Sequence, residues 1–224
     1  CFSGWSRLTP LALAAWALCN GPNAFGQGLP TGASVVSGAA AISTSGNTML
    51  INQSTPRNVI DWNTFNIGAG NTVRFVQPGA TSQSLNRVVG GTASTIAGTL
   101  QANGQVFIQN PNGSIFGSGS VVDVGALFAT TKQIPATDFM AGNSFSLSRV
   151  AGAGNASIEQ QGQITAAPGG FVVLMGDQVR NSGNITADQG RVILAAGDQA
   201  TVSLANGQGV RLNITNATAG ALVE

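Results

Sequence analysis

Apolar residues alternate with polar ones over short stretches along most of this chain, a pattern that predicts β-strands. Residues 158–178 align without a gap with residues 179–199, and their glycines fall at matching places. The aligned apolar pairs are Ile158 with Val179, Ile164 with Ile185, Phe171 with Val192, and Val173 with Leu194. A repeat of 21 residues is too short for a helix-plus-strand unit and suits three short strands with three corners. The pattern therefore predicts an all-β fold, a parallel β-helix of about 21 residues per coil, with these apolar residues facing inward.

The same register extends towards the N-terminus. The segment that begins at Gly98 resembles the one that begins at Gly162, 64 residues later and close to three coils, and Gly119 lies one coil after Gly98. Coils are therefore predicted from about residue 76 to beyond residue 212. With strands spaced ~4.8 Å apart, about six coils would form a rod on the order of 30 Å long. Because residues 76–224 end without a polar capping segment, we expect a fragment of a longer protein whose solenoid continues.

Residues 1–26 have the character of a truncated secretory signal peptide. An apolar run from Leu8 to Leu18 follows Arg7 and is too short to span a bilayer. Small residues precede Gln27, so we expect cleavage before that residue. Lipid attachment at Cys19 is the alternative, but the preceding Leu18 is large for such a site. Both cysteines of the chain lie in this leader, so the mature protein is predicted to use no disulfide or thiol chemistry.

Residues 27–75 are predicted to cap the first coil, within a single domain that spans residues 27–224. Two strand-like runs, residues 35–44 and 48–53, flank a Ser-Gly-Asn turn and indicate a hairpin. An uncovered solenoid end would expose unpaired strand edges and core. We therefore interpret Trp62 and Phe65 as a lid over the first coil and not as a ligand site.

Composition argues against most catalytic chemistry. The chain has no histidine, which excludes Ser-His-Asp triads and the common zinc protease motifs. Charged residues make up 8% of the chain and the net charge is +1, so no nucleic-acid or membrane surface is indicated. Of the acids, Asp177 and Asp198 share a column, each within Gly-Asp-Gln, and Glu159 falls beside Arg180. We interpret the two aspartates as repeated corners, with a calcium site as the weaker alternative. No catalytic residue, metal ligand or cofactor site is predicted.

Two short motifs are candidates for a specific role. Asn110, Pro111, Asn112 and Gly113 have the residue order of a type I turn directly after a predicted strand. The structural interpretation is a turn that holds one coil in register, and the functional one is a signal read by a partner. Asn86 and Arg87 also allow two interpretations. In one, both residues are exposed and face a partner; in the other, Arg87 hydrogen-bonds to backbone carbonyls near the cap.

Several strings together resemble the filamentous haemagglutinin family, in its N-terminal two-partner secretion domain. They run from Trp62–Gly68 through Val73–Pro78, Ser84–Val88 and Asn103–Ile108 to Asn110–Gly113, and then Gly125–Thr131. The junction Gln27–Pro30 also matches, so the resemblance covers nearly all of residues 27–200.

The resemblance implies a right-handed parallel β-helix with an N-terminal β cap and an extra antiparallel β element. It also implies a secretion module of a large Gram-negative exoprotein of the adhesin, haemagglutinin or haemolysin type. Its expected partner is a dedicated outer-membrane TpsB-type transporter, which recognises the domain through periplasmic POTRA domains. The exoprotein would cross the periplasm unfolded and fold at the cell surface or as a secreted protein. Regions downstream would bind a host-cell receptor or glycan, without nucleic acid and without integration into a membrane.

Two other functions compete with this one. A polysaccharide-degrading or polysaccharide-binding β-helix would need acidic and basic groups clustered on one face, and the sequence gives no such cluster. A passive structural stalk would need no special N-terminal motif. The sequence therefore favours the secretion module.

Overall fold

The computed structural model describes residues 28–142, 144–205, 209–216 and 222–223. The predicted signal peptide at residues 1–26, with Cys1, Cys19 and the cleavage site before Gln27, lies outside these residues. Among the described residues, no helix is both long enough and apolar enough to cross a membrane.

The described residues fold into short strands and one helix. In chain order they are β1 (Ser34–Ser37), β2 (Ala40–Ser45), β3 (Thr48–Gln53), β4 (Arg57–Trp62), β5 (Thr72–Val76), β6 (Gln83–Val88), β7 (Ser94–Ile96), β8 (Thr99–Ala102), β9 (Gln105–Gln109), β10 (Ser114–Phe116), β11 (Val121–Val124), β12 (Ala126–Thr130), α1 (Ala136–Ala141), β13 (Phe145–Leu147), β14 (Ser157–Gln160), β15 (Gln163–Ala166), β16 (Phe171–Gly176), β17 (Gln178–Asn181), β18 (Asn184–Ala187), β19 (Arg191–Ala196), β20 (Gln199–Ala205), β21 (Gly209–Asn216) and β22 (Leu222–Val223).

The strands build a parallel β-helix with three faces, as the repeat predicted. Sheet I has the order β1-β4-β6-β9-β12-β16-β19, sheet II has β2-β3-β5-β8-β11-β15-β18, and sheet III has β7-β10-β14-β17-β22. Neighbouring strands within each sheet run parallel except at the N-terminal edge. The solenoid makes about seven turns with about 22 residues per turn.

The 21-residue register holds for only part of each coil. Ile158 pairs with Val179 and Ile164 with Ile185, as predicted. In sheet I, however, Phe171 pairs with Arg191, because the turn between β18 and β19 has one residue fewer than the turn between β15 and β16.

Side chains of β16 alternate between the inside of the solenoid and its outward face. Val172 and Leu174 belong to the inner core, whereas Phe171 and Val173 lie on the opposite face of the strand. The inward assignment of Phe171 and Val173 is therefore wrong. Val192, also predicted to be inward, pairs with Val172 but is 46% exposed.

The predicted count of three coils between Gly98 and Gly162 is also wrong. Thr99 pairs with Val121, and Val121 pairs with Gln163, so two coils cover this distance. The extra length comes from residues 131–156, which leave the solenoid after β12, form α1 and β13, and return at β14. Because the insertion is close to one coil in length, the spacing in the sequence has the value expected for an additional coil.

A second departure from the solenoid corrects the prediction of uninterrupted coils beyond residue 212. After β19, strands β20 and β21 pair with each other antiparallel, and β13 pairs antiparallel with β20. The chain then returns to sheet III, where Leu222 pairs with Gln178. We call α1, β13, β20 and β21 the outer layer. It is the extra antiparallel element that the resemblance implied.

The N-terminal end is covered by antiparallel strands. Strands β2 and β3 form the predicted hairpin, with Ser45 opposite Thr48, and β1 pairs antiparallel with β4. Parallel pairing already begins at Thr48, which faces Thr72, ahead of residue 76. Trp62 and Phe65 are fully buried in this region, with ring centroids 5.5 Å apart.

The described part of the chain packs into two hydrophobic cores, one on each face of sheet I. The inner core fills the solenoid. The second core lies between the outward face of sheet I and the outer layer, and it is centred on the stacked rings of Phe107 and Phe128. Strands such as β9 and β12 are buried at every residue because both of their faces are covered.

Candidate functional site

The predicted turn at residues 110–113 forms as its sequence indicated. The amide of Gly113 donates to the carbonyl oxygen of Asn110 at 3.0 Å, which closes a β-turn with Pro111 at its second position. The Asn110 side-chain oxygen accepts a hydrogen bond from the Asn112 amide at 2.9 Å, an Asx turn. Both closures come from local residue chemistry, which explains why the sequence alone predicted this turn.

The turn is also tied to the coil on either side of it. The buried Asn110 amide nitrogen donates to the Thr92 carbonyl at 3.0 Å and to the Ser94 hydroxyl at 2.9 Å. Gly113 has φ +99, and a Cβ there would lie 2.6 Å from the Ser157 carbonyl oxygen. Glycine is therefore required at this position both by backbone conformation and by the close approach of the next coil.

Asn112 is the exposed member of the turn. Its side-chain nitrogen donates to the Gly90 carbonyl at 3.0 Å, on the preceding coil, while much of the residue faces solvent. Pro111 is half-buried. Of the four turn residues, these two present side-chain surface that another molecule can reach.

Asn86 is not exposed in the folded domain, whereas one of the two alternatives left by the sequence expected an exposed asparagine. It is fully buried, and its side-chain oxygen accepts a hydrogen bond from the Trp62 ring nitrogen at 3.0 Å. Its amide nitrogen lies 3.3 Å from the carbonyl oxygens of Ser84 and Phe107. Asn86 therefore fixes the buried tryptophan of the first coil against the next two strands.

Arg87 lies beside Asn86 but points outward. It forms a bidentate ion pair with Asp61, which is directly opposite in the register, at 2.7 and 2.9 Å. The side chains are 25% and 22% exposed. Neither alternative foresaw this carboxylate partner; Arg87 was expected to meet a partner molecule or backbone carbonyls.

The outward-facing parts of the two motifs meet in one shallow concavity of about 330 Å³. Arg87, Pro111 and Val150 contribute to its wall. Val89, also in the wall, is 66% exposed and so presents an unusually large apolar surface. The fold thus brings together two candidate motifs that lie more than twenty residues apart in the sequence.

The structure also contains a charged cluster that the sequence did not predict. Lys132 and Arg149 lie near the two ends of the first departure from the solenoid, and they meet Asp177 and Asp198, which lie at later corners. We call these four residues the ion quartet. The Lys132 Nζ is 2.5 Å from Asp177 Oδ1 and 3.4 Å from Asp198 Oδ1.

Arg149 completes the ion quartet from the solvent side. Its guanidinium contacts both carboxylates, with Nε 3.0 Å from Asp198 Oδ1, and it also donates to the Gly154 carbonyl at 3.1 Å. The second oxygen of Asp177 accepts the Ala156 amide at 2.9 Å. Two cations neutralise the two carboxylates, so the calcium alternative does not fit this pair.

The remaining electrostatic prediction concerned Glu159 and Arg180. They are directly opposite each other in sheet III, as the 21-residue register indicated. Within the described residues, no group of three or more His, Cys, Asp or Glu side chains could hold a metal ion.

The described residues match one protein family, and parts of the chain match two curated proteins. The model of the family described as the TPS secretion domain matches residues 26–223. The heme/hemopexin-binding protein of Haemophilus influenzae is 45% identical over 184 residues, which is 80% of this chain and 20% of that protein. A second Haemophilus influenzae protein of the same name is 44% identical over 91 residues, covering 41% of this chain and 10% of its own length. The chain thus spans a fifth or less of these curated relatives.

Two solved structures have similar folds. The HMW1 secretion domain from Haemophilus influenzae superposes with a TM-score of 0.79 at 32% identity, over 87% of this chain and 52% of that one. The filamentous hemagglutinin secretion domain gives a TM-score of 0.59 at 18% identity, over 88% of this chain and 74% of that one. The second likeness concerns the fold alone.

Proposed function

Because this chain belongs to the TPS secretion domain family, we propose that it is the secretion module of a large Gram-negative exoprotein. A TpsB-type outer-membrane transporter recognises it through periplasmic POTRA domains while the chain is still unfolded. The domain then folds outside the cell and nucleates the β-helix of the exoprotein.

The observation that carries this proposal is the extent of the family match. It runs over residues 26–223 and so includes the N-terminal cap, the coils and the outer layer together. The architecture fits the proposed route, since each coil of a solenoid contacts mainly its neighbours and coils can be added one after another. A folded N-terminal end would give each arriving coil a strand edge on which to pair.

For the six candidate residues we propose a role in this nucleation. Asn86 and Asn110 are fully buried and hydrogen-bonded within the chain, and Gly113 is required by its conformation. In the folded domain, Pro111 and Asn112 are the turn residues that keep solvent-accessible surface. The structural role is favoured because recognition precedes folding, and the turn exists only in the folded chain.

A pair of substitutions in the turn tests this proposal. We expect Gly113→Ala to lower both thermal stability and export, since the added Cβ meets the Ser157 carbonyl. Asn112→Ala removes the partly exposed side-chain hydrogen bonds to the Gly90 carbonyl and the Asn110 side-chain oxygen, so it should cost about 1 kcal/mol, with a small effect on export. Asn184→Ala, at an exposed asparagine of β18, is the matched control. Measurements are the melting temperature of refolded protein, export with the cognate transporter, and affinity of the unfolded chain for its POTRA domains. Unchanged stability with lost affinity would contradict the nucleation role.

The relatives' name raises the question of haem. Haem iron in proteins is held by His, Cys, Tyr or Met side chains. The chain has no His and no Tyr, and both Cys residues lie in residues 1–26, which leaves three Met. We therefore propose that any haem binding by the whole protein resides outside this domain. Titration of haemin into the folded domain should give no saturable Soret shift, and a stoichiometric shift would contradict this assignment.

We further propose that the domain is not an enzyme. The acids that share a column of the repeat, Asp177 and Asp198, are neutralised by Lys132 and Arg149. A glycosidase needs one carboxyl that transfers a proton and one that attacks or activates water. Carboxylates held in these ion pairs do not favour the polysaccharide-degrading alternative.

A further inference from the structure

The outer layer is built from two segments that are far apart in the sequence. Residues 131–156 carry α1 and β13, and the strands β20 and β21 begin only after β19. Strand β13 pairs with β20, where Phe145 faces Val202, and in the described part of the chain it forms no ladder with a strand of the three coil sheets. The first segment thus lacks its strand partner until about fifty residues later.

An apolar stripe on sheet I depends on this layer for its cover. Leu85, Phe107 and Phe128 are fully buried on the outward face of the sheet. The ring of Phe139 in α1 lies 5.1 Å from Phe107, and that of Phe145 in β13 lies 6.4 Å from Phe128. Without residues 131–156, the stripe would face solvent although its coils were complete.

The ion quartet also requires that residues 131–156 pack after the later coils have folded. Lys132 is 1% exposed, and its counterions are Asp177, 45 residues later, and Asp198, 66 residues later. Arg149 depends on the same two aspartates. A buried ammonium without a carboxylate partner is strongly unfavourable. The segment therefore cannot settle in its final position until the corners after β16 and β19 have formed.

We propose that residues 131–156 form a strap that closes over sheet I only after the chain through β20 has folded, with the ion quartet as its lock. Until the strap closes, the apolar stripe stays exposed to solvent while coils are added. When the domain is complete, the strap covers the stripe. This inference concerns the folding of the domain itself. It can be tested on refolded protein without a transporter, so its outcome is independent of the proposed secretion role.

The lock is tested by amide hydrogen exchange on the complete chain. Asp198 is 27% exposed, so Asp198→Asn removes a counterion without opening the deep core. We expect exchange in α1 and β13 to accelerate at least tenfold, while exchange in β8 and β11 stays unchanged. Asp123→Asn, at an exposed acid on β11, is the matched control and should change neither. Equal protection of α1 and β13 in Asp198→Asn and in the unmodified protein would overturn the lock.

The order of closure is tested without any substitution. In pulse-labelled refolding, amides of β9 and β12 should become protected first. Amides of α1 and β13 should follow in the phase that protects β20. Protection of α1 and β13 together with β9 and β12, ahead of β20, would overturn the strap.

Discussion

The second core makes a quantitative prediction at Phe107. Its ring stacks on Phe128 at 5.4 Å and meets the edges of Phe139 and Phe171 at 5.1 and 6.3 Å. Truncation of a buried phenylalanine costs about 3–5 kcal/mol, and each aromatic pair adds ~0.5–1.5 kcal/mol beyond area burial. We expect Phe107→Ala to fall in the upper part of that range, about 4–5 kcal/mol, although it points away from the solenoid interior.

The matched control is Phe116→Ala. Phe116 is equally buried but belongs to the inner core, and in the described residues it has no aromatic ring partner. Its truncation should cost about 3–4 kcal/mol. The difference between the variants should lie in the outer layer: Phe107→Ala should expose α1 and β13 to proteolysis before global unfolding, and Phe116→Ala should not.

Guanidinium unfolding can be followed through one native reporter. The chain has three tryptophans, and Trp62 is the one outside residues 1–26. Its fluorescence reports on the first coil, so circular dichroism is recorded in parallel to detect coils that unfold separately. A loss below about 1 kcal/mol for Phe107→Ala, far under the usual cost of a buried ring, would refute the second core.

Three further predictions concern the candidate residues. Asn110→Ala removes buried hydrogen bonds to Thr92 and Ser94 and should cost about 1–3 kcal/mol in thermal unfolding; an unchanged melting temperature would show that the turn does not hold its coil. Arg87→Ala breaks a partly exposed pair and should cost no more than about 1 kcal/mol, so a larger loss of export than of stability would point to a contact with a partner. Incubation with pectin, neutral glycans and glycosaminoglycans should yield no products by chromatography, and turnover abolished by Asp177→Asn would reverse that conclusion.

Local patterns explain what the sequence predicted correctly. The 21-residue repeat depends on strand alternation and corner glycines, and it placed Ile164 opposite Ile185. The hairpin between β2 and β3 and the turn at residues 110–113 depend on short-range turn chemistry. Such features need few distant contacts, so residue order suffices to specify them. A sequence signal for the second core was also present. Strands β9, β12 and β16 each contain three or more consecutive apolar residues, typical of strands buried on both faces, whereas polar and apolar residues alternate in β15.

Other features could be known only from the tertiary structure, and most of them lie where the chain leaves the solenoid. The departure at residues 131–156 adds nearly one coil of length, so the spacing from Gly98 to Gly162 was indistinguishable from a third coil. Asn86 appeared free to face a partner, and only the position of Trp62 on the preceding strand shows why it is buried. Lys132 and Asp177 carry no periodic signal that links them. Their pairing depends on where the departure at residues 131–156 closes against a later corner of the solenoid, and that closure is fixed by the packing of the outer layer on sheet I and not by any local pattern.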